Sequence, residues 1–416
     1  MSNTASAPVV AEENVKHVFA LTDEIVDKFP GRLAGTEACR KAGERVKEEL
    51  EKYCDRATVK MEEFNIHPQS FLKYIPGLVV FYFTGALLLY FGFNAASLVC
   101  FTVAILVFYA QFLRYHHLLD PLFPKKKGYN VWGSIEPEGA VKQQIIICAH
   151  HDAAYVFQIL ARFPRLYFPL MMGGVLLLII GFLVSLTASV LYLFGMQMPP
   201  WIALVLIAFG VFELPFLFFT TGQVVPGAGD NMIAVAIAAE TGKLFNAAKQ
   251  AGSPLKSTRL ILASFDAEEA GIRGARAFIR QHRKELTDTK TCVLNMDTIY
   301  RLRDLNFFDA DLNSTVWLSK EMAQECVDIA GALGYSARIS RMSPGGGSTD
   351  AAAFGEADIE ATNLSAMSFN VQDYSQGFVY HTERDVSSQI EPEVVGAVLK
   401  IIREYILVTD KSPSSK

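Results

Sequence analysis

Two long uncharged stretches constrain this chain more than any other feature. Tyr74 to Leu113 contains no Asp, Glu, Lys or Arg, and Leu166 to Phe212 is equally free of them. A bilayer-crossing helix needs about 20 apolar residues. The first stretch is broken near Gly92-Phe93-Asn94 and reads as two spans, 74–93 and 96–115. The second is broken at Met198-Pro199-Pro200 and continues to Thr221, giving spans 166–195 and 200–221. A fold built around these runs has two transmembrane hairpins, whereas a soluble alternative would use them as a hydrophobic dimerisation arm. The Gly, Ala and Ser residues within the spans would let two copies pack closely, so a homodimer is an expectation.

Charge placement orients the hairpins. The turns 92–96 and 195–200 carry no Lys or Arg, whereas Lys73, Arg114, Lys125, Lys126, Lys127, Arg162 and Arg165 flank the other ends. Positive flanks stay in the cytoplasm, so both termini and every hydrophilic segment are expected there. The opening residues lack a basic region followed by a long apolar run, which argues against a cleaved signal peptide. The six cysteines are Cys39, Cys54, Cys100, Cys148, Cys292 and Cys326, with no closely spaced pair. That scatter fits a reducing compartment and excludes a disulfide framework. A composition 51% hydrophobic and only 19% charged excludes a disordered chain. The net charge of −5 argues against nucleic acid as a partner. Glu213 falls inside the last span, where an ionisable group is costly and marks either a function or a local hydrogen bond.

The hydrophilic segments 1–73, 116–165 and 222–416 read as one α/β domain interrupted by the hairpins at 74–115 and 166–221. Residues 36–53 have helical periodicity. Gln144–Ala149, Arg259–Phe265 and Thr291–Asn295 are short buried-strand candidates. Asn231–Ala247, Ile272–Arg283 and Pro392–Leu407 read as helices, and the tail KSPSSK as disordered.

Polar residues follow these strands closely. AHHDA puts His150 and Asp152 after the first, FDAEEAG puts Glu268 and Glu269 after the second, and NMDTI puts Asp297 after the third. PGAGDNM places Asp230 before a helix, and VYHTERD places His381 in a late loop. Ligands of open α/β sheets gather at the carboxyl ends of strands, so these fragments can share one site. Imidazole and carboxylate are zinc donors, and two histidines with three carboxylates can hold two ions if one carboxylate bridges. Asp152 can orient His150 from behind. An HxD or a Glu-Glu pair alone is more often helix capping or surface chemistry; the weight lies in five fragments in order. His151 points away from its neighbour in an extended chain and reads as structural. His116 and His117 read as residues of a span end, and Tyr380 as either packing or site-facing.

The order and wording of these fragments, with the opening GRLAGTEACRKAGERVKEEL, resemble the di-zinc aminopeptidase family of exopeptidases, metallopeptidase family twenty-eight. That family also holds glutamate carboxypeptidases and glutaminyl cyclases. The resemblance covers the hydrophilic segments and not the hairpins. It implies a zinc-exopeptidase-like mixed sheet flanked by helices, with two zinc ions per chain, Co²⁺ or Mn²⁺ being able to use the same donors. It implies His150 and Asp297 as ligands of one ion, Asp230 as the bridge, Glu269 and His381 as ligands of the other, and Glu268 as the general base. Ser348 and Asp350, in GGGSTDAAAF, resemble a supporting loop near the second histidine.

The function so implied is a membrane-anchored aminopeptidase. It would act on apolar or membrane-derived peptides or lipopeptides at the lipid bilayer. A one-zinc glutaminyl cyclase, a carboxypeptidase using Arg301 and Arg303, and an N-acyl amidase stay open. So does a binding or transport protein without catalysis, for which Glu213 is the sole support.

Overall fold

The computed structural model describes residues 8–368 and 378–411. Stretch 412–416, in the tail expected to be disordered, lies outside them. The strands in chain order are β1 (Lys60–Ile66), β2 (Lys126–Ile135), β3 (Gln143–His150), β4 (Tyr155–Phe157), β5 (Thr220–Val224), β6 (Thr258–Phe265), β7 (Lys290–Ile299), β8 (Leu305–Phe308), β9 (Ala310–Asp311), β10 (Val316–Trp317), β11 (Arg338–Ser340) and β12 (Glu360–Ala366). Eight form one sheet in the order β1-β2-β6-β3-β7-β12-β8-β11. Its centre, β6-β3-β7-β12, is parallel, and β1, β2 and the β12–β8 pair add antiparallel connections. Strands come from all three hydrophilic segments.

Every residue of β3 is buried, as a central parallel strand requires. Its alternate side chains serve two cores. Ile145 and Ile147 join the helices Glu12–Lys28, Glu37–Tyr53, Ile233–Gln250 and Pro392–Lys411 on one face. Ile146 and Cys148 join the helices Arg273–Asp288 and Asp350–Gly355 on the other. Helix Glu37–Tyr53 begins where the Thr36 hydroxyl accepts a hydrogen bond from the Cys39 N–H at 3.2 Å, closing one free donor of its first turn.

Four segments are long and apolar enough to cross a membrane: Pro68–Tyr90, Asn94–Leu113, Pro164–Leu193 and Pro200–Phe218. Their large side chains, including Val80, Leu87, Leu176, Leu183 and Leu204, point outward and are exposed. Small and polar residues point inward. The Ser97 hydroxyl donates to the Gly85 carbonyl at 2.7 Å and lies 2.7 Å from the Ser185 hydroxyl. The Tyr82 hydroxyl donates to the Leu206 carbonyl at 2.7 Å. Gly181 admits the Phe101 ring, which a Cβ there would meet at 2.2 Å. The two hairpins therefore pack as a single four-helix unit. Gly85, Ser97, Gly181 and Ser185 all serve this packing within one chain.

The second hairpin leaves and re-enters through the β4–β5 ribbon, where Tyr155 pairs with Val224 and Phe157 with Thr220. That ribbon begins five residues beyond His150 and ends six residues before Asp230.

Candidate metal centre

The carboxyl ends of β3, β6 and β7 and two loops bring the donors together. His150 closes β3. Its Nδ1 lies 3.2 Å from the main-chain oxygen of Asp152 and 3.4 Å from the Asp152 carboxylate. An Nδ1–H donating there leaves Nε2 with its lone pair toward the site. Nε2 stands 3.2 Å from Asp230 Oδ1, 3.8 Å from Asp297 Oδ2 and 3.9 Å from Glu268 Oε2. The other oxygen of Asp230 lies 3.2 Å from His381 Nε2, which is 3.3 Å from Glu269 Oε2. Asp230 thus stands between the two histidines, one oxygen facing each. His150, Glu268 and Asp297 offer donor atoms within 4.8 Å of one another, and so do His150, Asp230 and Glu269.

Local backbone geometry aims these groups. Asp152 accepts hydrogen bonds from the N–H groups of Glu268 (3.1 Å) and Glu269 (3.2 Å). One carboxylate thereby fixes the turn that carries both glutamates while its main chain orients His150. Ala267, Thr298 and His381 all have left-handed backbone, at φ +62°, +59° and +52°. Each is a donor or adjoins one, and such conformations concentrate where side chains must be held in place. The Asp230–Asn231 peptide is cis.

The electrostatics are those of acids crowded without enough base. Burial pushes the Glu268 and Asp297 carboxyls well above their usual range, and neighbouring carboxylates add to it against the pull of His150. Burial would lower both imidazoles, yet the surrounding carboxylates overcome it: His150 is raised strongly and His381 to about 10. Asp230 moves the other way, because its contacts with the two histidines outweigh burial. Several buried donor atoms, among them His150 Nε2, Asp230 Oδ2 and Glu269 Oε1, have no hydrogen-bond partner. Divalent cations would satisfy this charge imbalance and those lone pairs together.

Of the supporting pair, Asp350 is fully buried with neither carboxylate oxygen hydrogen-bonded, and burial lifts its carboxyl to about 8. Ser348 borders the same cavity as Glu268, Glu269 and His381. Tyr380 stacks on His381 with ring centroids 4.0 Å apart, and Phe157 packs edge-on to the same ring at 4.3 Å. His151 faces the other way: its Nδ1 is 2.8 Å from the Ser264 hydroxyl, and it shares a separate buried group with Cys39 and Asp266. Arg303 lies 3.8 Å from Asp304 with its side chain 57% exposed.

Two positioning residues are not apparent from sequence. Asp385 accepts from the N–H groups of Gly229 (2.7 Å) and Asp230 (3.2 Å) and so holds the loop that carries Asp230. Arg32, fully buried, donates to the carbonyls of His151 (3.2 Å), Pro226 (2.8 Å) and Gly227 (3.1 Å), tying that loop to the end of β3. The available signals were a second acid four residues after His381 and an arginine in the opening GRLAG.

The profile of peptidase family M28 matches residues 215–406, a stretch that includes Asp230, Glu268, Glu269, Asp297 and His381 but not His150. No curated protein matches the sequence. Among solved structures, the LapA aminopeptidase of Legionella pneumophila superposes with a TM-score of 0.53 at 11% identity, covering 99% of this chain and 78% of that one. A zinc aminopeptidase of Bacillus subtilis gives 0.56 at 14%, covering 95% of each chain. A glutaminyl cyclase from an Acidobacteriales bacterium gives 0.56 at 13%, covering 99% of each. The fold is that of the zinc exopeptidases: a mixed eight-stranded sheet flanked by helices.

Proposed function

We propose that this chain is a membrane-anchored metal-dependent amide hydrolase, an aminopeptidase using two zinc ions. The observation that carries the reading is Asp230, with one oxygen 3.2 Å from each of two histidines and further carboxylates beside both. His150, Asp230 and Asp297 would hold one ion, and Asp230, Glu269 and His381 the other. The donor types and their unpartnered lone pairs fit zinc. When bound, two zinc ions polarise a scissile carbonyl and make an attacking water more acidic.

The chain's own residues supply the rest. Glu268 borders the cavity, and burial and nearby acids raise its affinity for a proton. It is suited to accept a proton from water and deliver it to the leaving amine. Asp152 keeps His150 and both glutamates in register. Phe157 and Tyr380 wall off His381 from water, which strengthens each electrostatic contact.

The M28 match, the fold and the four apolar helices support an enzyme acting at a bilayer on apolar peptides or lipopeptides. The basic residues at the site-proximal ends of those helices support a cytoplasmic site. Purified protein should hydrolyse aminoacyl anilides, lose that activity to a chelator and regain it with Zn²⁺. Turnover of N-blocked substrates alone would reject the aminopeptidase in favour of an amidase. Cyclised product with one zinc per chain would replace it by a cyclase.

A further inference from the structure

The cavity beside the donor cluster continues into the apolar helices. Glu268, Glu269 and His381 line one part of it, and Val79, Gly174 and Glu213 another. Its cavity volume is about 130 Å³. Phe157 marks the near end, 4.3 Å from His381 and 4.7 Å from Phe219. Glu213 lies on the tight helical segment Gly210–Phe218, which Phe219 directly follows. At about 2 Å of rise per residue, it stands on the order of 12 Å deeper along that segment.

Two features mark Glu213 as a binding group. It is 5% exposed, and its Oε1 has no hydrogen-bond partner. Gly174 lets the carboxylate pack closely: a Cβ there would stand 3.0 Å from the Phe216 ring, 3.2 Å from Oε2 and 3.4 Å from Oε1. An unpaired acid in apolar surroundings is costly and is retained where something bonds to it. Between the two ends the walls are chiefly aromatic and aliphatic. An extended peptide lying there would bury amide groups with few partners, whereas an aliphatic chain gains from the same burial.

We propose that Glu213 is the distal recognition group of the substrate cavity. The substrate it selects is an aminoacyl amide whose side chain is a long aliphatic chain. Its scissile bond lies at the donor cluster, its chain among the apolar helices, and a hydrogen-bond donor at the chain's far end, amine or hydroxyl, on Glu213. This rests on the hydrolase reading and names its substrate class. The stretch of about 12 Å from Phe219 to Glu213 corresponds to roughly ten carbons of an extended chain, whose bonds of about 1.5 Å zigzag and advance about 1.25 Å each.

The test uses the full chain in nanodiscs with 2-aminododecanoyl, 2-amino-12-hydroxydodecanoyl and 2,12-diaminododecanoyl anilides, and leucine anilide as a short control. Wild type should prefer the donor-ended chains over the methyl-ended one by about tenfold in kcat/KM, the size of one hydrogen bond to a charged group. The arm that wins identifies the donor. Glu213→Leu should bring the ratio near one, and Glu213→Gln should keep the hydroxyl preference while losing the amine preference. Equal rates for the three chains in wild type overturn the proposal even if a variant does not fold. So does a ratio unchanged in Glu213→Leu. Calorimetric binding of the three matching primary amides separates the two readings. Binding that ranks as above without chelator-sensitive turnover of any anilide sinks the hydrolase and keeps this site. Chelator-sensitive turnover of leucine anilide with three equal chains does the reverse.

Discussion

Glu269 and Glu213 border the same cavity, and each leaves an oxygen without a partner, yet they belong to opposite kinds of environment. Around Glu269, His381 stands at 3.3 Å and donor atoms of His150 and Asp230 lie within 4.8 Å, so every group's charge depends on the others. Around Glu213 the neighbours are rings and alkyl chains. The first region is organised by electrostatics and hydrogen bonds that fix backbone turns. The second is organised by shape, with Phe101 seated against Gly181 and serines bonded across helices. One region is built to hold charge and the other to exclude water, and the cavity joins them.

Substitutions should separate the two. The largest effect is expected from Glu268→Gln: kcat should fall about 10²- to 10⁴-fold, with zinc content by elemental analysis unchanged. Lost zinc would make Glu268 a ligand instead of a base. Next comes Phe101→Ala, which opens the centre of the helix unit. It should cost about 3–5 kcal/mol, read as a lower thermal midpoint in detergent, while zinc content holds. A drop in zinc would mean that the helices help to shape the metal centre.

Asp385→Asn keeps the size of the side chain but weakens its hold on the loop bearing Asp230. Zinc affinity should fall about 10- to 100-fold, measured by chelator competition, and thermal stability of the metal-free protein should change far less.

These expectations also show what could be read from the chain. The convergence of His150, Glu268, Glu269 and Asp297 was legible because each lies at or just after a short apolar run, and a run that becomes a central strand delivers those residues to one sheet edge, whereas Asp230 and His381 come from loops. The helices 36–53, Ile272–Arg283 and Pro392–Leu407 were legible from periodicity and correspond to Glu37–Tyr53, Arg273–Asp288 and Pro392–Lys411. Arg32 was not, because its partners lie more than a hundred positions away. Nor was the union of the hairpins, which depends on Phe101 meeting a glycine in the other hairpin. No periodicity within either run records that match.

The smallest effect lies far from both regions. Arg45 holds the partly exposed Glu24 carboxyl down to about 2 from its usual 4.5. The pair's stabilisation is present above 4.5 and is lost as pH falls through about 2. Solvent screening keeps it to about 0.2–1 kcal/mol. Glu24→Gln should therefore unfold slightly earlier than wild type near neutrality, and the gap should close in acid. A gap that persists there would trace to packing.

The β4–β5 ribbon fastens both ends of the second hairpin to the loops that carry His150 and Asp230. Many anchored proteins keep their working part on a stalk that a protease can sever to release it. On the membrane-anchored reading proposed above, a cut on either side of that ribbon would detach the helices from the loops they abut and remove a wall of the chamber, so the activity would be lost with the release.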